Sequence, residues 1–111
     1  MTSDFLSAVL AEKILGWRAA PGRFLTGNRQ WIPRWRFQPL ARVEDAFRLL
    51  ETAATSYTLR ASSDATLSAE VCVASRTGRA SGKSNATVIT VAVARAIGLA
   101  VPDGVLEVKK R

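Results

Sequence analysis

The spacing of apolar residues along the chain predicts three helices. The first covers about residues 3–15, where apolar side chains recur at helical spacing and Gly16 follows as a helix stop. The second covers about residues 43–54 and carries two acidic residues in its first turn, where the helix dipole favours them. The third covers about residues 85–100, with Asn85 as its expected N-cap. This helix is apolar almost all round, which predicts burial between other elements.

A strict alternation of apolar and polar residues predicts a hairpin of two strands. The strands cover residues 57–61 and 67–73, and the polar residues 62–64 supply the turn between them. The expected fold class is therefore α+β. A small antiparallel sheet packs with three helices in an α/β/α sandwich-like arrangement of two or three layers, in the order α-(β)-α-β-β-α. We expect a single domain over residues 1–101, followed by a charged C-terminal tail over residues 102–111.

Two segments lack a regular periodicity. Residues 17–39 are broken repeatedly by Pro and Gly, which predicts an ordered loop held by large aromatic side chains. A Gly-Asn turn signal inside it predicts one short strand near residues 29–32. Residues 76–84 are also expected to form a loop, with room for a short strand.

The residue types present argue against most catalytic chemistry. Histidine is absent and Cys72 is the sole cysteine, which excludes intramolecular disulfides and any Ser–His or Cys–His nucleophile, and argues against zinc. No carboxylates are paired at catalytic spacing, so we predict neither enzymatic activity nor a cofactor. No apolar run is long enough for a transmembrane helix, and the N-terminus lacks a signal-peptide pattern. We therefore expect a cytoplasmic protein without membrane contact.

The net charge of +7 is concentrated in an unusual segment. Residues 13–43 contain seven basic residues, five aromatic residues and no acid. Basic side chains interleaved with stackable rings are typical of proteins that bind single-stranded nucleic acid or nucleotides. The same composition suits a protein partner, or rings that close a small core beneath arginine stems.

A second basic stretch, residues 78–84, resembles a phosphate-binding P-loop but departs from it. Three residues instead of four separate Gly78 from the Gly-Lys-Ser sequence, and no acidic magnesium ligand follows on a later strand, which argues against a nucleotide P-loop. A weaker hypothesis remains, in which Arg79 and Lys83 hold a phosphate at the start of the third helix. The alternative is a flexible, solvated basic loop.

Several short motifs resemble the phage ABA sandwich domain family, a family of small phage and prophage proteins. They share their order along the chain with that family and cover most of residues 5–101: residues 11–18, 31–33, 39, 45–47, 49–51 and 94–96. The resemblance implies an α/β/α arrangement and a phage or prophage origin. It implies no activity, because the family carries no known chemistry to transfer.

The resemblance also implies that residues 13–17, Trp31 and Pro33 belong to the scaffold. Seven other basic or aromatic residues remain as binding candidates: Arg23, Arg29, Arg34, Trp35, Arg36, Arg79 and Lys83. We expect a phage-type accessory binding protein without catalytic activity, which binds a host or phage macromolecule and would suit a role in countering host defence. The alternative is a nucleic-acid or nucleotide-binding protein that uses the Arg/Trp-rich loop. A protein partner is favoured over nucleic acid, and a monomer and a homodimer are both allowed.

Overall fold

The computed structural model describes residues 3–101, with side chains from residue 5 onward. Helix α1 spans Ser3–Leu10 and continues as a π-helical turn over Ala11–Leu15. Gly16 ends this helical segment in the left-handed conformation, at φ 72°, which a residue without a Cβ adopts readily. The predicted first helix and its stop are therefore confirmed, with a widened last turn. The predicted C-terminal tail, residues 102–111, lies outside the described residues.

A first antiparallel sheet follows α1, in a segment where the sequence predicted mostly loop. Its strands are β1 (Arg18–Ala20), β2 (Arg23–Leu25) and β3 (Trp31–Pro33), paired in the order β1-β2-β3. Only β3 was predicted, so the expectation of a loop was wrong for β1 and β2. Each strand is three residues long, which is too short to show alternation in the sequence. A 3-10 helix, Arg34–Arg36, extends β3 directly.

A second antiparallel sheet lies farther along the chain, after helix α2 (Val43–Ala53). Its strands β4 (Ser56–Ala61) and β5 (Leu67–Val73) form the predicted hairpin. Strand β6 (Arg76–Gly82) pairs with β5 along its whole length, where the sequence predicted a loop with room for only a short strand. That expectation was wrong because Gly, Ser and Arg dominate β6, and these residues carry no strand signal.

Helix α3 (Asn85–Ala96) is the centre of the core and packs on β5 and β6 and against α2. Nine of its residues are buried, as its apolar composition predicted. Its N-cap is Ser84, whose Oγ accepts a hydrogen bond from the Thr87 N–H at 3.4 Å, so the assignment of Asn85 as the cap was wrong. Asn85 is already the first helical residue.

The helices cover one face of the second sheet. Gly78 and Ala80 of β6 face α3 and are buried, whereas Arg79 and Ser81 alternate with them and are exposed. On β4 and β5, residues such as Thr58 and Glu70 are exposed on the same outer side. The α+β class is therefore confirmed, with two three-stranded sheets in place of one. Among residues 3–101, no helix lies over the outer face of the second sheet. The sheet and the helices therefore form two layers, which is one of the two arrangements predicted from the sequence.

Gly78 marks the closest approach of sheet and helix. A Cβ built on Gly78 would collide with the carbonyl oxygen of Ala92 and the amide nitrogen of Ala96, and would lie 2.9 Å from the Ala96 Cα. These are backbone atoms, which cannot move aside as a side chain can. Any side chain at position 78 therefore forces α3 away from β6.

We predict that Gly78→Ala lowers the free energy of unfolding by about 1–3 kcal/mol or more, because overpacking here displaces a helix. Chemical denaturation is the measurement. Gly27→Ala is the matched control, since nothing lies within 4 Å of a Cβ at Gly27. Equal stability of the two variants would contradict the close approach of β6 and α3.

Candidate functional site

Three aromatic rings hold the first sheet on the rest of the molecule. The ring centroids of Trp17 and Phe37 are 5.1 Å apart, those of Phe24 and Phe37 are 5.7 Å apart, and those of Trp17 and Phe24 are 5.9 Å apart. The packing is edge-to-face or tilted, which aromatic pairs prefer. Phe24 and Phe37 are fully buried. We call these three residues the aromatic triangle.

Arg34, one of the predicted binding residues, is tied to the first sheet. Its Nε and Nη2 donate hydrogen bonds to the carbonyl oxygen of Ala20 at 3.2 and 3.1 Å, and its guanidinium lies 4.7 Å from the centre of the Phe24 ring. Its backbone N–H also donates to the carbonyl oxygen of Gly22. These contacts fix the 3-10 helix to β1 and β2, so Arg34 has a structural role.

Two tryptophans stand out from the first sheet instead of entering the core. Trp31 is 47% exposed and Trp35 is 62% exposed. Each has an arginine beside it: the Arg23 guanidinium carbon lies 4.1 Å from the Trp31 ring centre, and that of Arg36 lies 5.8 Å from the Trp35 ring centre. We call Arg23, Trp31, Trp35 and Arg36 the Arg/Trp surface.

The register of the first sheet explains why Trp31 is exposed. Phe24 pairs with Ile32, and both side chains face the core. The neighbouring positions therefore point outward, among them Arg23 and Trp31. Trp31 was assigned to the scaffold from the sequence; the structure places it in β3 with 47% of its surface exposed. The sequence could not show this, because three-residue strands are too short to reveal the alternation.

Among residues 5–101, no carboxylate is paired with an arginine of the Arg/Trp surface. Within the described part of the chain, neither Arg23 nor Arg36 forms an ion pair with a carboxylate. The same is true of Arg29, which lies in the exposed turn between β2 and β3 at φ 64°. By contrast, Arg42 lies 3.8 Å from the buried Asp45 carboxylate. Unpaired guanidinium groups beside exposed rings create a positive surface with stacking platforms.

A cleft of about 390 Å³ adjoins this surface. Trp35, Arg34 and Phe37 are among the residues that line it. Polar groups come from Ser7 of α1 and from Gln38. The cleft therefore offers hydrogen-bonding groups next to an exposed aromatic ring.

Arg79 and Lys83, the other predicted pair, lie away from these residues, on the second sheet and just after it. Arg79 forms an ion pair with Glu70 at 3.1 Å, and the Lys83 ammonium donates to the carbonyl oxygen of Asp64 at 2.7 Å. The Ser84 cap already occupies the start of α3. The seven candidates thus divide into two groups, and the second group is engaged within the protein.

The turn of the β4–β5 hairpin, which Lys83 contacts, is also held by hydrogen bonds among its own residues. The Ser62 hydroxyl donates a hydrogen bond to the Asp64 carboxylate, and this bond, together with donors from Thr66, lowers the pKa of Asp64 to about 2. Lys83 adds a smaller electrostatic contribution. Asp64 is therefore charged at neutral pH and serves the turn of the β4–β5 hairpin.

The described residues show few other chemical groupings. No three His, Cys, Asp or Glu side chains among them are placed to hold a metal ion. The half-buried Cys72 lies with its Sγ 3.6 Å from the Thr77 hydroxyl. Over residues 3–101, no helix combines the length and apolar character needed to cross a bilayer.

Comparison with solved structures gives a clear likeness in fold. The chain is similar to a phage protein from Bacillus cereus, known from a 2.0 Å crystal structure, with a TM-score of 0.73 and 12% sequence identity. The similarity covers 92% of this chain and 93% of the other. No protein-family model matches the sequence, and no curated protein matches it either. The resemblance to the phage ABA sandwich domain family thus has no support from family models, and the likeness concerns the fold.

The contacts predict that Arg34 and Arg36 differ in their effect on stability. We expect Arg34→Gln to lower the free energy of unfolding by about 1–3 kcal/mol, because it removes charged hydrogen bonds to a backbone carbonyl. Arg36→Gln should change it by less than about 0.5 kcal/mol, since its side chain is exposed. Chemical denaturation of both variants is the test. If both variants lose the same free energy of unfolding, the conclusion that Arg34 is structural and Arg36 is merely exposed is contradicted.

Proposed function

We propose that the protein is a non-catalytic binding protein of phage or prophage origin, which binds an anionic macromolecule of the host or the phage. The supporting observation is the Arg/Trp surface, in which two exposed tryptophans each lie beside an arginine. Trp and Arg are also the residues that contribute most to binding energy at interfaces.

The negative charge of the proposed partner follows from the charge of the surface. Arg23, Arg29 and Arg36 have no carboxylate partner within the described residues, and the whole chain carries a net charge of +7. An uncharged partner would desolvate these guanidinium groups without compensating them, which is costly. An anionic partner compensates them and is also attracted from a distance.

A phage origin is supported by the likeness in fold to the Bacillus cereus phage protein, over nearly the full length of both chains. A small binding protein of this kind would act in the cytoplasm of a bacterial host. Counteracting a host defence is a role that it would suit. Its charge is opposite to that of a protein that mimics DNA, so it would act by binding an anionic component.

Retention on immobilised heparin, a general polyanion, tests the proposal. We expect the double variant Arg23→Gln, Arg36→Gln to elute at clearly lower salt than the wild type. The matched control is Arg79→Gln, Lys83→Gln, because either pair lowers the net charge from +7 by two, to +5. The control should elute close to the wild type, since Arg79 and Lys83 lie on the second sheet and just after it, outside the Arg/Trp surface.

Equal loss of retention in both double variants would contradict the proposal, because net charge alone would then explain the binding. A wild-type protein that heparin does not retain would contradict it as well.

A further inference from the structure

We infer that the anionic partner is single-stranded nucleic acid, whose bases stack on Trp31 and Trp35 while its phosphates contact Arg23, Arg29 and Arg36. This inference rests on the proposed function and names the chemical class of the partner. It depends on three features of the described residues: the exposed rings, the type of surface around them and the cleft beside Trp35.

The two tryptophans lie close enough along the chain for one short strand to span both. Trp31 begins β3 and Trp35 lies in the 3-10 helix that follows it, so three residues lie between them and their Cα atoms are at most about 14 Å apart. A single strand advances about 3.4 Å per stacked nucleotide, so about four nucleotides cover that distance. Bases inside a duplex are stacked on each other and are not available to the rings.

Arginine extends the stacking surface. The guanidinium of Arg23 lies 4.1 Å from the Trp31 ring centre, within reach for a cation–π contact. Bases stack on guanidinium planes as well as on aromatic rings. At the same time the N–H groups at the edge of the guanidinium can donate to phosphate oxygens. Ring and cation together therefore match a repeating unit that has a flat base and a charged phosphate.

The rest of the surface is unlike the centre of a protein–protein interface. Such centres are depleted in charge and rich in packed apolar side chains. Here the two Trp rings are the large exposed apolar side chains among residues 17–42, and each has an arginine beside it. The other large exposed apolar residues belong to other elements: Phe5 to α1, Val43 to α2 and Tyr57 to β4. Charge with isolated rings is typical of single-strand binding.

The cleft beside Trp35 provides groups that can contact a stacked base. Its lining includes Arg34, Ser7 and Gln38, which are residues with polar side chains. Amide and hydroxyl groups can hydrogen-bond to the edge of an unpaired base. A base that stacks on Trp35 would therefore have polar partners at its edge.

The test measures binding of a fluorescein-labelled oligothymidine of about ten nucleotides by fluorescence anisotropy, since comparable single-strand sites cover about 4–16 nucleotides. We expect Trp31→Ala and Trp35→Ala each to raise Kd roughly 5- to 150-fold, because each removes a stacking platform. Tyr57→Ala is the matched control, since Tyr57 is an exposed aromatic residue (44%) on the second sheet. Its Kd should equal that of the wild type. The conservative variant Trp35→Phe should recover most of the affinity.

The salt dependence provides a second measurement on the same oligonucleotide. Three phosphate contacts predict a slope of log K against log salt of about −2 for a single strand. The double variant Arg23→Gln, Arg36→Gln should reduce the magnitude of that slope by about 1.4. The control Arg79→Gln, Lys83→Gln should leave it unchanged.

Competition separates failure of this inference from failure of the proposed function. We expect the oligothymidine to bind more tightly than a duplex of equal length and than polyglutamate. If polyglutamate or the duplex binds as tightly, or if the tryptophan variants bind like the wild type, the inference is overturned. The proposed function then still stands, provided that heparin retention depends on Arg23 and Arg36. If the protein binds none of these polyanions, both the inference and the proposed function are overturned.

Discussion

The packing of Trp17, Phe24 and Phe37 is the contact on which the exposed surface depends. A sheet of three-residue strands is too small to be stable alone, because it carries few apolar side chains to bury. The aromatic triangle joins this sheet to the core, since Phe24 and Phe37 belong to the buried core cluster and Arg48 of α2 lies 5.8 Å from the Trp17 ring centre. Once Phe24 and Ile32 face inward, the strand geometry directs Arg23 and Trp31 outward.

Side chains of the helical layer hold the other end of that segment by hydrogen bonds to its backbone. The Thr90 hydroxyl of α3 donates to the Pro39 carbonyl oxygen at 2.6 Å, and the Thr87 hydroxyl donates to that of Leu40 at 2.7 Å. The Asp45 carboxylate of α2 accepts from the Gln38 N–H at 2.9 Å. The chain that follows Trp35 is thus fixed on both helices. A preorganised surface of this kind loses little conformational entropy when it binds a partner.

The sequence was sufficient to predict the elements with strong periodicity and failed where strands are short or rich in small residues. Helices α2 and α3 and the hairpin of β4 and β5 follow from apolar spacing. Strands β1 and β2 carry no such signal, and their pairing depends on contacts distant in sequence, those of Phe24 with Trp17 and Phe37. Strand β6 was hidden because its inward positions are Gly78 and Ala80, whose small size lets α3 approach.

The sequence predicted which segment carries the candidate site. It did not predict which residues of that segment support the fold and which are exposed. Sequence could locate the basic and aromatic segment, yet Arg23, Arg34 and Arg36 are chemically identical there. Only the fold distinguishes them, since Arg34 is bound to the Ala20 carbonyl oxygen while the other two lie against exposed rings.

We propose that Trp31 and Trp35 form the binding surface and that Trp17 supports it. The most direct measurement follows the three indole N–H signals by NMR during titration with oligothymidine. We expect the signals of Trp31 and Trp35 to shift and that of Trp17 to stay unchanged. Equal shifts of all three, or a shift of Trp17 alone, would contradict it.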